Sequence, residues 1–470
     1  MSITMSRAQR GTLAAAGLGF VVVLLDVSVV NVALDALRGR FATDVSGLQW
    51  VVNAYTLAFA SLLLTTGALG DRFGARRVFT AGFAVFTLAS IACGLATSLP
   101  LLVAARVVQG LGAALLVPNS LAMLRQAFPD AQQRGRAVGW WSAAGGVALA
   151  AGPVLGGLLV THIGWRSIFL INLPIGVAGV VLTLRHAAAA VQARGRGIDL
   201  PGQLTAILAL IALTVCFSEA GRLGWQHPLV LGAALLAVLA SLGFVGVEAR
   251  SKEPMLPLTL FRAATFSTAS VAGVIVNFAY YGLIFVFSLF FQIEQQMSAQ
   301  RTGLAFLPMT AVVMAVNIVA SRSLHRVGAK RMMIGGMVVA ALGYLLLLPV
   351  SFGGSYGALV VPMLIAAGGI AAVVPTMTNL TLSSVDAARS GIAAGVLNSA
   401  RQVGGMLGVA VFGFFVRDTQ PAAFMRGMHL SIVTAAGLLL CGGVICLMGI
   451  RPPRELRCGE GHASRLAGEG

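Results

Sequence analysis

The sequence predicts an all-α integral membrane protein of fourteen spans, arranged as two related six-helix halves around a two-helix insert. Three observations predict it. Of 470 residues, 58% are hydrophobic and 10% charged, with a mean hydropathy of +0.90, far outside the range of soluble domains. Fourteen apolar runs are each long enough to cross a hydrocarbon core of ~30 Å. A basic segment also recurs. In Asp71-Arg-Phe-Gly-Ala-Arg-Arg77, the residues Arg72, Gly74, Ala75 and Arg77 are matched 254 positions later by Arg326, Gly328, Ala329 and Arg331. Such an internal repeat marks a chain of two related halves. The 57 glycines suit helices that approach closely through small residues, and the alternating segments of a membrane β-barrel are absent.

In chain order the runs fall at 12–34, 48–69, 78–97, 100–124, 137–160, 165–185, 200–219, 228–249, 265–291, 301–321, 332–351, 356–384, 389–416 and 428–450. The first is too long for a signal-peptide core and lacks a cleavage site, so it is expected to remain as a span. An even number of spans puts both termini on one side. That side carries 23 of the 32 Lys and Arg residues, the other carries seven, and Arg106 and Arg401 lie within spans, so both termini are expected in the cytoplasm. The repeat offset relates spans 1–6 to spans 9–14. The expected domains are a first half over 1–185, a two-helix insert with cytoplasmic connectors over 186–264, a second half over 265–450, and a cytoplasmic tail over 451–470. The segment Gly67-Ala-Leu-Gly-Asp-Arg-Phe-Gly-Ala-Arg-Arg77 reads as the loop between spans 2 and 3. Its three arginines, Arg72, Arg76 and Arg77, mark the cytoplasmic edge.

The formal charge of +17 would suggest nucleic acid in a soluble chain, but here it is a topology signal, and no nucleic-acid partner is expected. Five cysteines show no metal-ligand spacing and no disulfide framework. The phosphate-cradling Gly-x-x-x-x-Gly-Lys-Ser/Thr pattern is absent, which leaves the proton gradient rather than ATP as the energy source, with no cofactor or metal. No nucleophile–base pair or metal cluster points to an enzyme.

Asp26 is the one acid clearly inside a span. An ionised carboxylate there is expensive unless paired, hydrated or protonated, which makes it the first candidate for a proton-coupling group; a structural carboxylate paired with a neighbouring helix is the alternative. Arg106 lies at matching depth and is its expected partner, with snorkelling to the headgroups as the alternative. Gln109 shares the Arg106 face. Asn31 and Asn277 are candidate cavity groups, as is a structural role for each. Gly145, Gly152 and Gly156 form a small-residue stripe on span 5, with Gly157 beside it and Pro153 displacing a backbone bond. Arg401 and Gln402 lie mid-span and need a partner that the sequence does not supply.

These residues resemble the major facilitator superfamily, and within it the fourteen-helix drug:proton antiporters. The segment Gly67 to Arg77 is similar to that family's loop signature between helices 2 and 3. Leu25 to Leu34 resembles its first-helix motif, Arg106-Val-Val-Gln-Gly-Leu-Gly112 its fourth-helix motif, and Gly152-Pro-Val-Leu-Gly-Gly157 its antiporter motif. Trp165 to Gly176 and Asn398 to Gly405 match as well. The resemblance implies a major facilitator fold of 6+2+6 helices in two pseudo-symmetric halves. It implies a proton-coupled antiporter in a bacterial cytoplasmic membrane, giving multidrug efflux and antibiotic resistance, with hydrophobic or cationic drugs as small-molecule substrates. Under it Asp26 couples protons, and Gly67, Asp71, Arg72, Gly74, Arg76 and Arg77 form a latch in which Asp71 meets the start of span 13 near Arg389 and Gly391. Under it too, the stripe on span 5 meets the other half and limits leakage. The alternatives are a dedicated exporter of one metabolite, such as a self-made antibiotic, and a non-transporting membrane sensor. Nothing in the sequence names a periplasmic adaptor.

Overall fold

The computed structural model describes residues 5–188, 199–349, 356–385 and 390–450, and all regular structure among them is helical. The first half comprises α1 (Arg7–Asn31), a short α2 (Leu34–Phe41), α3 (Val45–Phe73), α4 (Ala75–Leu95), α5 (Leu99–Ala127), α6 (Ala131–His162), α7 (Ser167–Leu170) and α8 (Asn172–His186). The insert is α9 (Leu200–Leu223) and α10 (Pro228–Arg250). The second half comprises α11 (Ala264–Leu289), which runs on as a π-helical turn over Phe290–Glu294, then α12 (Ala299–Val327), α13 (Ala329–Leu345), α14 (Tyr356–Ser383), α15 (Ser390–Phe415) and α16 (Pro421–Gly449).

Each predicted run coincides with one helix, or with the pair α7 and α8, over the described residues. By length and hydropathy eleven helices qualify as spans among those residues and α3 makes a twelfth. Of the other two, α13 has 17 residues, and α15 is diluted by Asn398, Arg401 and Gln402. The polar residues flanking the spans work as caps. Ser6 and Gln9 form a reciprocal capping box at the start of α1, and the Asp44, Asp130 and Asp199 side chains accept from the first-turn amides of α3, α6 and α9. Three of the few acids are thereby spent on helix ends.

The expected loop between spans 2 and 3 is almost entirely helical. Helix α3 continues to Phe73 and α4 starts at Ala75, so Gly74 alone makes the turn, with φ +91°, and Gly328 makes the same turn in the second copy with φ +84°. A side chain is strained at such an angle, so a glycine at both sites lets each pair of spans reverse over one residue. The duplication seen in sequence is thus a duplicated backbone turn. Span 1 also ends earlier than its apolar run, because α2 follows as a separate helix from Leu34.

The halves meet along two seams, α3 against α15 and α6 against α12. The repeat offset maps α3 onto α12 and α6 onto α15, so each seam pairs one helix of each kind, as a pseudo-twofold requires. Among the described residues, every hydrogen bond between the halves lies toward the face opposite the start of α1. Gln49 donates to the carbonyls of Val409 and Ala410 at 3.2 and 2.9 Å, Gln292 to that of Asn31 at 3.3 Å, Arg38 to Thr419 at 3.4 Å, and Thr310 to Ala150 at 3.4 Å. The chain is closed on that distal face. Toward the near face the described residues show no such bond, and residues 398–403 of α15 are half-buried.

One expectation about span 5 is overturned. The stripe of Gly145, Gly152 and Gly156 packs on α1 within its own half, against Phe20, Ser28 and Val29. A different face of α6, through Gly157 and the Pro153 carbonyl, meets Ala299 and Gly303 of α12 across the seam. Consecutive residues on a helix point ~100° apart, so one glycine-rich motif serves two interfaces.

Candidate functional site

The Asp26 carboxylate is fully buried, at 0% exposure, and forms an ion pair with Arg106, at 1%. Burial alone would make either charge costly, so the surrounding bonds decide whether the pair is tenable. Asp26 Oδ2 accepts from Arg106 Nη1. Asp26 Oδ1 accepts from Gln109 Nε2 at 2.7 Å and from Asn172 Nδ2 at 3.2 Å. Arg106 also donates from Nε to the Val51 carbonyl at 3.1 Å and to Gln109 Oε1 at 2.7 Å. Ser90 Oγ accepts from both Gln109 and Asn172, at 2.7 and 3.2 Å. The Arg106 guanidinium lies 4.3 Å from the Tyr55 ring centroid, and Tyr55 in turn donates to the Val23 carbonyl at 3.4 Å.

Among the described residues, the hydrogen bonds of the network join α1, α3, α4, α5 and α8, all within the first half. Both Asp26 oxygens accept and neither has an acceptor to donate to, the pattern of an ionised carboxylate. No part of the Asp26 carboxylate is exposed at the surface.

Of the sequence candidates, Asp26, Arg106 and Gln109 come together here. Asn31 and Asn277 do not. Each turns its amide back onto its own helix, donating to Val27 at 3.1 Å and Gly273 at 2.8 Å, although the Asn31 carbonyl receives the seam bonds of Ser288 and Gln292. Asp71 is exposed and has no bonded partner among the described residues, and Arg389 lies outside them. Arg76 donates to the Leu184 carbonyl at 2.7 Å, tying the turn to α8, while Arg72 sits over Phe73 and Arg77 is exposed. Gly67 lies near Pro118 on α5. Arg401 and Gln402 lie on α15, away from the Asp26 network. Sequence reasoning missed Asn172, Ser90 and Tyr55; an Asn and a Ser isolated in otherwise apolar runs were the available signal.

A second feature sits between the halves. Val27, Ser28 and Asn31 of α1, Tyr280 and Tyr281 of α11, and Phe306 of α12 are among the walls of a cleft beneath the closed distal seam, with about 20 Å³ of free space. That is room for one water molecule at most.

Comparison with known proteins places this geometry. The family profile described as the Major Facilitator Superfamily matches residues 16–409. The chain is 38% identical over 409 residues to the multidrug resistance protein Stp of Mycobacterium tuberculosis, covering 87% of this chain and 76% of that one. It is 37% identical over 426 residues to the methylenomycin A resistance protein of Streptomyces coelicolor, covering 91% and 89%. Among solved structures it superposes on a D-xylose-proton symporter with a TM-score of 0.70 at 14% identity, covering 94% of this chain and 98% of that one, a likeness of fold. With the repeated glycine turn, the two crossed seams and this match over most of its length, the chain belongs to the major facilitator superfamily.

Proposed function

We propose that this chain exports small hydrophobic drugs, cationic ones among them, from the bacterial cytoplasm in exchange for protons. Membership of the superfamily makes it a multi-pass membrane transporter rather than an enzyme. The observation that carries the proton reading is the buried Asp26–Arg106 pair, in which an intramembrane acid accepts from donors on α5 and α8. Protonation of Asp26 removes the charge that anchors Arg106 and Gln109, so proton binding is linked to the packing of the first half. The positive-inside count puts the near face in the cytoplasm, and the arrangement is then the inward-facing one. Rocking of the halves would open the distal seam and let Asp26 exchange its proton with the outside. Gly67, Asp71, Arg72, Gly74, Arg76 and Arg77 would limit how far the near face closes.

The test is gradient-driven uptake of a lipophilic cationic dye into proteoliposomes, comparing wild type with Asp26→Asn. Transport that follows the imposed pH gradient and vanishes in the variant is the expected result. Unchanged transport in the variant would move the proton site elsewhere. A second reading, a dedicated exporter of one antibiotic, is favoured by the likeness to the methylenomycin A resistance protein. Under it the dye is not carried, and gradient-driven export is confined to one compound class.

A further inference from the structure

The Asp26–Arg106 pair leaves a second intramembrane cation unaccounted for. Arg401 lies near the middle of α15 (Ser390–Phe415), ~17 Å from the nearer end, too deep to reach the headgroups easily. Its Nε is buried without a hydrogen-bond partner, and it enters neither ion pair found among the described residues. One of its neighbours is Gly273 of α11, whose missing side chain leaves space beside the Arg401 stem, a Cβ there lying 3.4 Å from Arg401 Cγ. The other is Tyr281, which packs against Gly405 one turn further along the same face of α15, its Cδ2 2.9 Å from where a Gly405 Cβ would lie, and which also lines the cleft between the halves.

Among the described residues no carboxylate forms an ion pair with Arg401. Of 15 acidic residues, Asp26 is the one in mid-span and it is held by Arg106; the rest lie at helix ends, in connectors or in the tail. A lone cation at bilayer depth is expensive and persists where a counter-group comes and goes. We propose that Arg401, with Tyr281 beside it, binds the acidic group of a transported molecule, so that substrates include apolar bodies bearing a carboxylate, enolate or phenolate. The guanidinium fork matches a carboxylate with two parallel N–H bonds, and the Tyr281 hydroxyl is a further donor. Cationic substrates gain nothing from this site. The inference rests on the export reading for its physiological meaning, but binding itself needs no gradient.

The test is saturable binding of tritiated 1-naphthaleneacetate to the purified full-length protein in detergent, displaced by the unlabelled acid or by neutral 1-naphthaleneacetamide. The acid should displace at a concentration at least about tenfold lower than the amide. Arg401→Gln should erase that preference, and Arg401→Lys, which keeps the charge without the fork, should retain part of it. Absence of saturable binding, equal potency of acid and amide, or an acid preference that survives in Arg401→Gln overturns the proposal. Should Arg401→Gln fail to fold, the acid–amide comparison on wild type together with Arg401→Lys still decides. Failure of proton-driven dye export with the acid preference intact would remove the export reading and leave this site standing. The converse result would remove the site alone.

Discussion

Breaking the buried pair from one side should cost more than removing it. In Asp26→Asn, an amide N–H₂ or a neutral oxygen replaces the Asp26 oxygen that receives Arg106 Nη1, and a guanidinium at 1% exposure loses its counter-charge. Arg106→Met leaves the reciprocal orphan, a carboxylate at 0% exposure with two amides still aimed at one oxygen. Each single variant should lose about 3–5 kcal/mol of stability. The double variant Asp26→Asn/Arg106→Met buries no charge. Its residual cost is the weakened bonds from Gln109 and Asn172, about 1 kcal/mol each, so the double should be more stable than either single. A double-mutant cycle of SDS-unfolding titrations in mixed micelles, followed by far-UV circular dichroism, reads the coupling as about 3 kcal/mol or more. Additive losses would refute the reasoning, because they would mean that the two charges are solvated independently and the sealed network does not exist.

Gly152→Ala should destabilise the protein by about 1–3 kcal/mol, since its Cβ would lie 1.7 Å from Ser28 Oγ. Ser28→Ala should relieve part of that loss, measurable as recovery of thermal stability in detergent. Gly74→Ala and Gly328→Ala have open space for a methyl group, so each should lose about 1–3 kcal/mol from backbone strain alone, and by similar amounts; a several-fold larger loss at one site would argue against equivalent turns. Gln49→Leu removes two bonds to α15 and should weaken distal closure by about 1–2 kcal/mol, roughly a tenfold shift toward the outward-open state. Spin-label distances between α3 and α15 at the distal face report it, and an unchanged distribution would mean that apolar contacts alone hold the seam.

Much of the fold was legible because membrane depth leaves few ways to satisfy a backbone, and apolar run length alone finds the spans. The Asp26–Arg106 pair could be expected from depth matching along two helices. Asn172 and Ser90 could not, since which apolar run packs beside α1 is a matter of tertiary arrangement that hydropathy does not record. The stripe on α6 was assigned the wrong neighbour for a related reason. Small residues say that something approaches closely, and only packing says what. The turn at Gly74 was taken for a loop because charged residues dominate it. On a helix end near the interface those charges are solvated without any need for the chain to uncoil.

The insert changes how the protein meets its surroundings laterally. Helix α9 lies in the groove between α3 and α15, hydrogen-bonded to α3 at both ends through Ser46 with Ser218, Trp50 with Glu219, and Gln203 with the Ser61 carbonyl. Toward α15 it offers softer contacts, a Thr214 hydroxyl on the Met406 sulfur and the edge of Trp225, just beyond its C-terminus, on Phe414. It is therefore bonded to the first half and only packed against the second, a fender fixed to one side of a door. The opposite flank, where α6 meets α12, has no such cover among the described helices. A molecule dissolved in the leaflet thus meets a shuttered flank and a bare one, and the 6+2+6 arrangement breaks the lateral symmetry that the duplication created.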